Sequence, residues 1–346
     1  MSFVDFESSS GPLRMHYNIA TPTNPSADAI DETLPTILFL HAIYLGQQIF
    51  ELQFRDPRLR RFNLVAIDSR GHGESQGPIP PTWSPAASAE DLYCFMQKLN
   101  LPPCHFVSMS MHTLTATHFN VMYPEMILSQ FLISPVPDQE SEDVISGRQE
   151  IYECWAQGFA DPDNVDESAV LDSVWGALQL AFNNLENPLM TALWKTAIPP
   201  AIVQWGSSAS GKFDEYYNTN ISFFANSKSF TVEQITKMAN TPTKVIHGQN
   251  DVAYPLELSK RVVEILKKGG VDAELVEIPG ATHYACVTAA EEVKLTRSGW
   301  LEPYRINSML HEWILKHTKG EPPIPDEAVS PWKDFLGDYE EDEDTD

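Results

Sequence analysis

Short, nearly unbroken apolar runs alternate with longer stretches of helical period through the first third of the chain, the pattern expected of a largely parallel sheet with helices on both faces. The runs 34–40 (LPTILFL) and 62–67 (FNLVAI) read as strands buried on both sides. Leu92, Phe95, Met96 and Leu99 then recur at helical spacing, and 104–108 returns as another short strand.

From about 138 to 240 the texture changes. Val170, Val174, Ala177, Leu178 and Ala181 follow a helical period, with many aromatics between such segments. Strand-like 243–246, a helix at Leu256–Lys268, a strand at Ala273–Ile278 and a helix near 304–316 complete the chain. The stripe Ile306, Met309, Leu310, Trp313, Ile314 marks the last as core packing. The expected organisation is an α/β core over 1–137 and 241–320, an inserted helical cap over 138–240, and a flexible acidic tail over 321–346.

Length and composition permit a sizeable core: 346 residues, 42% of them apolar. The formal net charge of −25 argues against nucleic acid and anionic membrane surfaces as partners, since binding them relies on Lys and Arg. Much of the acidity lies in Asp338-Tyr-Glu-Glu-Asp-Glu-Asp-Thr-Asp346, too polar to offset ordering entropy. The N-terminal residues lack a basic, then apolar, leader pattern, and no stretch is long and uncharged enough to span a bilayer. Cys94, Cys104, Cys154 and Cys286 are scattered without CxxC spacing, which fits reduced thiols in the cytoplasm. No metal-ligand cluster or nucleotide-binding glycine pattern is present, so neither metal nor cofactor is expected.

A serine is a poor nucleophile unless a base, an orienter for that base and oxyanion donors surround it. In His105-Phe-Val-Ser-Met-Ser-Met-His-Thr113, Ser110 falls between a strand and a helix starting near Met111, whose first N–H groups have no intrahelical acceptor. The Met111 N–H is thus one candidate oxyanion donor.

The segment Asp68-Ser-Arg-Gly-His-Gly-Glu-Ser75 resembles the strand-and-turn signature of the α/β-hydrolase superfamily, and other landmarks follow in order. His41-Ala-Ile43 is similar to the family's His-Gly-x turn, which implies a second oxyanion N–H from Ile43. His247-Gly-Gln-Asn-Asp251 is similar to the turn carrying the triad acid, and Pro279-Gly-Ala-Thr-His283 to the loop carrying the histidine. The resemblance implies a Ser110, Asp251, His283 triad with His283 as base and Asp251 as its orienter. His41, Ala42, Met109, His112 and Tyr284 are the pocket residues it points to.

Two positions depart from the family pattern. The serine turn there reads Gly-x-Ser-x-Gly, whereas this chain has Ser108 and His112, followed by Thr113. An imidazole at the second glycine position needs the helix to stand farther off or the ring to escape sideways, near the acyl pocket or into solvent. Either the turn is repacked and catalysis persists, or the protein is a non-catalytic, ligand-binding homologue. Ala42 adds only a methyl to the second turn.

Trp155, Phe159, Trp175, Phe182, Trp194, Trp205, Phe213, Tyr216, Tyr217, Phe223 and Phe224 all fall in 138–240. Most should pack the cap, and some could line a cleft for a small hydrophobic ester, lactone or acyl conjugate. Acyl transfer and serine-dependent C–C hydrolysis use the same constellation and stay open.

Overall fold

The computed structural model describes residues 2–161, 163–206, 212–289, 306–337 and 339. Its core is one eight-stranded sheet: β1 (Ser2–Ser8), β2 (Gly11–Ala20), β3 (Thr36–Leu40), β4 (Asn63–Ile67), β5 (Cys104–Met109), β6 (Ile127–Ile133), β7 (Thr243–Gly248) and β8 (Ala273–Ile278). The order is β1-β2-β4-β3-β5-β6-β7-β8. β1 and β2 enter antiparallel; from β4 onward neighbours run parallel. β3, β4 and β5 are buried at every residue, which is why the first two read as near-continuous apolar runs.

The antiparallel hairpin is the part that periodicity does not announce. β1 is only partly buried at the sheet edge, and β2 carries Arg14, His16 and Asn18 among its apolar residues. Apolar cores lie on both faces, one under Phe39, Phe62, Phe131 and Trp313, the other under Leu38, Phe95, Phe106 and Phe119.

Between β6 and β7 the chain runs through helices Glu142–Gly158, Glu167–Phe182 and Pro188–Trp205 and shorter helical segments. Phe182, Leu193 and Trp194 share the apolar cluster of the sheet, while Trp155, Phe159, Trp205 and Tyr216 form their own. Trp175 faces solvent.

The tail departs from expectation. Residues 321–337 are not free but fastened to the core: Arg60 donates to the Val329 carbonyl at 2.6 Å, and Trp332 and Leu336 pack beside Phe54. Composition alone undervalues these few anchors. The acidic run 338–346, Tyr339 excepted, lies outside the described residues. No helix among the described residues is long and apolar enough to cross a membrane.

Candidate active site

β5 ends at Met109 and a helix spans Met111–Met122, so Ser110 takes the whole change of direction, at φ 52° and ψ −124°. A non-glycine residue there is strained, and such strain persists only where surroundings hold it. Here Ser110 N–H donates to the Ile133 carbonyl at 3.0 Å, and the Ser110 carbonyl accepts from Thr113 N–H at 2.9 Å and Thr113 Oγ1 at 2.7 Å. Thr113 Oγ1 in turn accepts from Val136 N–H at 3.1 Å. A hydroxyl in the crowded turn therefore ties it to the chain leaving β6.

Ser110 Oγ lies 2.8 Å from His283 Nε2, and His283 Nδ1 lies 2.7 Å from Asp251 Oδ2. A carboxylate only accepts, so Nδ1 carries the ring proton and Nε2 is free to accept from the serine hydroxyl. Asp251 Oδ1 accepts from the N–H groups of Ala253 at 2.9 Å and Tyr254 at 3.0 Å, which fixes the carboxylate. These three side chains come from the ends of β5, β7 and β8 and are shielded from solvent. Gly248 lets the last two loops meet: a Cβ there would stand 2.5 Å from the carbonyl oxygens of both Ala281 and Thr282.

The turn after β3 is held by side chains at three successive carbonyls. His112 Nδ1–H donates to the His41 carbonyl, His41 Nδ1–H to that of Ala42 at 2.6 Å, and the Tyr284 hydroxyl to that of Ile43. His41 keeps its proton on Nδ1 because Nε2 accepts from Ser69 N–H at 3.0 Å. In a trans peptide the C=O of Ala42 and the N–H of Ile43 point in opposite directions, so the first bond aims the second group.

His112 therefore turns aside into protein, not into solvent; it is 1% exposed. Its ring stands edge-on to His41, with centroids 4.8 Å apart, and His72 lies 5.0 Å from His41. Burial, reinforced by the neighbouring imidazoles, pushes His112 down to about 3 and His41 well below the ordinary histidine range; burial pushes His72 to about 4. All three are neutral at physiological pH.

Of the residues singled out for a pocket, Met109 sits deep in the core with Sδ 3.4 Å from Cys286 Sγ. His41, Ala42, His112 and Tyr284 are likewise buried, and except for Ala42 they act as props for the turn. The Arg-Gly-His-Gly segment is structural: Asp68 accepts from Gln47 N–H at 2.7 Å and Glu74 N–H at 3.0 Å, and Arg70 pairs with buried Asp91.

Ile43 and Met111 share an apolar cluster with Val136, Phe223, Phe224 and Tyr254. Behind it, Arg148 pairs through both terminal nitrogens with Glu140, which also accepts from the Tyr254 hydroxyl, and the guanidinium lies 3.6 Å over the Phe224 ring. Tyr254 in turn packs on His283 at 5.2 Å. Glu140 and Arg148 carry no pattern of spacing; Tyr44, next after Ile43, and Tyr254, three residues past Asp251, stand beside recognisable motifs.

A serine at a strained strand-to-helix turn, a histidine and an acid on later strand ends, and a mostly parallel sheet define a hydrolase scaffold. The chain belongs to the α/β-hydrolase family: the model described as alpha/beta hydrolase fold matches residues 35–290. It is 32% identical over 128 residues to the mouse (Mus musculus) sn-1-specific diacylglycerol lipase ABHD11, a match covering 36% of this chain and 38% of that one. Among solved structures, a thermophilic esterase from Thermogutta terrifontis superposes with a TM-score of 0.63 at 17% identity, over 92% of this chain and 100% of that one. The enol-lactonase from Burkholderia xenovorans LB400 does so at 0.55 and 17%, over 82% and 94%. At such identities the likeness is one of fold.

Proposed function

We propose that the protein is a serine hydrolase cleaving an ester, lactone or related acyl bond of a small hydrophobic molecule. The observation that carries the reading is the unbroken Ser110–His283–Asp251 hydrogen-bond chain at 2.8 and 2.7 Å. His283 takes the Ser110 proton as Oγ attacks the carbonyl, and Asp251 stabilises the imidazolium. The N–H groups of Met111 and Ile43 receive the developing oxyanion. Collapse expels the leaving group with the proton from His283, and water, activated by the same ring, releases the acid.

The helices of 138–240 serve as a cap that excludes bulk water, a role consistent with the aromatic cluster over Ile43 and Met111. The reading includes no cofactor, metal, nucleic acid partner or membrane insertion. A cytoplasmic setting fits the four unpaired cysteines.

The test treats purified protein and Ser110→Ala with a fluorophosphonate and a short-chain aryl ester, reading labelling by intact mass and turnover by absorbance. Stoichiometric labelling and turnover, both absent in the variant, are expected. A folded wild-type protein that neither labels nor turns over sinks the reading and favours a ligand-binding homologue.

A further inference from the structure

One residue beyond Ile43, Tyr44 holds its backbone at φ 69°, a region that bulky side chains avoid. Strain of this kind marks positions where a side chain is needed in one place. The ring lines a half-open hollow whose other walls include Trp155, Trp194, Trp205, Ser173 and Tyr216.

Three of the lining residues carry donors, the Tyr44 hydroxyl, Trp194 Nε1 and Trp205 Nε1, that are shielded from solvent and have no acceptor among the described residues. Their neighbours are satisfied: Trp155 Nε1 donates to the Trp205 carbonyl at 3.1 Å and Ser173 Oγ to that of Ile151 at 2.8 Å. A buried donor without a partner is costly, so three around one apolar hollow call for an acceptor from outside the chain. No carboxylate, lysine or arginine lines the hollow, which leaves an ion uncompensated there and favours a neutral oxygen.

We propose that this hollow is a substrate subsite: it takes the part of the molecule remote from the scissile bond, a hydrophobic chain or ring bearing an uncharged carbonyl oxygen whose two lone pairs accept from the Tyr44 hydroxyl and one of the two indoles. The proposal rests on the reading of Ser110 as nucleophile, and it narrows the substrate class to acyl compounds with a second, non-reacting carbonyl. Tyr44 is then a specificity determinant, joined through one peptide to the oxyanion turn.

The experiment compares 4-nitrophenyl octanoate with a series carrying a ketone at successive carbons of the chain. In the wild type, one oxo ester should exceed the octanoate in kcat/KM by about 10-fold, the worth of a buried hydrogen bond to a neutral group. That ratio should fall towards one in Tyr44→Phe and in one of Trp194→Phe and Trp205→Phe, each of which removes a donor while keeping an aromatic ring. The same esters are titrated onto Ser110→Ala, with and without Tyr44→Phe, by tryptophan fluorescence. Absence of an oxo preference in both turnover and binding overturns the subsite, as does a preference that survives Tyr44→Phe, Trp194→Phe and Trp205→Phe alike. If the wild type turns over nothing yet Ser110→Ala binds the oxo ester preferentially, and Tyr44→Phe abolishes this, the subsite stands and the nucleophile assignment falls.

Discussion

His112 Nδ1–H donates to the carbonyl oxygen of His41, so the residue standing where a glycine is usual fastens the serine turn to the turn after β3. Replacing it by the family's glycine should therefore not improve the enzyme. His112→Gly leaves a buried carbonyl unpaired, costing about 1–3 kcal/mol of stability, and lets the Ile43 N–H drift. We expect kcat to fall at least as much as kcat/KM, with His112→Asn, which retains a nearby donor, recovering part of both. Denaturant melts and steady-state ester kinetics measure the two effects; full activity in His112→Gly would remove the clamp from the mechanism.

Tyr284 approaches the same turn from the histidine loop. Its hydroxyl donates to the Ile43 carbonyl from a fully buried ring. Tyr284→Phe should lower kcat about 10-fold or more, because an oxyanion donor acts only when aimed in advance, while KM moves little. A fall confined to KM would contradict this assignment.

Gly248 sits where no side chain fits. A methyl there meets two backbone carbonyls at 2.5 Å, so Gly248→Ala must push the Ala281–Thr282 peptide away and carry His283 with it. We expect fluorophosphonate labelling to slow by about 100-fold, the loss typical of misplacing a reacting group by an ångström. Equal labelling rates for variant and wild type would show that the loops can part without cost.

Acid should unfold the protein earlier than carboxylate protonation alone would. His112, at about 3, and His72, at about 4, are neutral when folded, yet in the unfolded chain they bind a proton near 6.5. The unfolded state thus holds more protons below pH 6.5, and stability falls as pH drops towards each folded value, by up to about 1.4 kcal/mol per pH unit for each histidine. Urea melts between pH 7 and 4.5 should show this slope, and His112→Asn should flatten it. A pH-independent midpoint across that window would refute it.

The regular periods of the chain were legible because each period reports one kind of burial. Near-continuous apolar runs marked β3 and β4, which are covered on both faces, and the helical stripe of Leu92, Phe95 and Met96 marked a helix packed on one. The β1–β2 hairpin was not legible, since an edge strand is half exposed and β2 mixes buried polar residues among apolar ones. Candidate chemistry at Ser110, Asp251 and His283 could be nominated because each lies in a short local motif.

What sequence alone determined, then, is which residues could react and the order in which the strands present them. Tertiary structure decided the rest: the direction His112 turns, the three carbonyl clamps on the turn after β3, the Glu140–Arg148–Tyr254 linkage and the unpartnered donors at Tyr44, Trp194 and Trp205. Most of these join residues far apart in the chain, as His112 to His41 and Tyr254 to Glu140 do. Hydrogen bonds and cavities depend on distance and direction in space, and neither quantity exists until the sheet has brought the strand ends together.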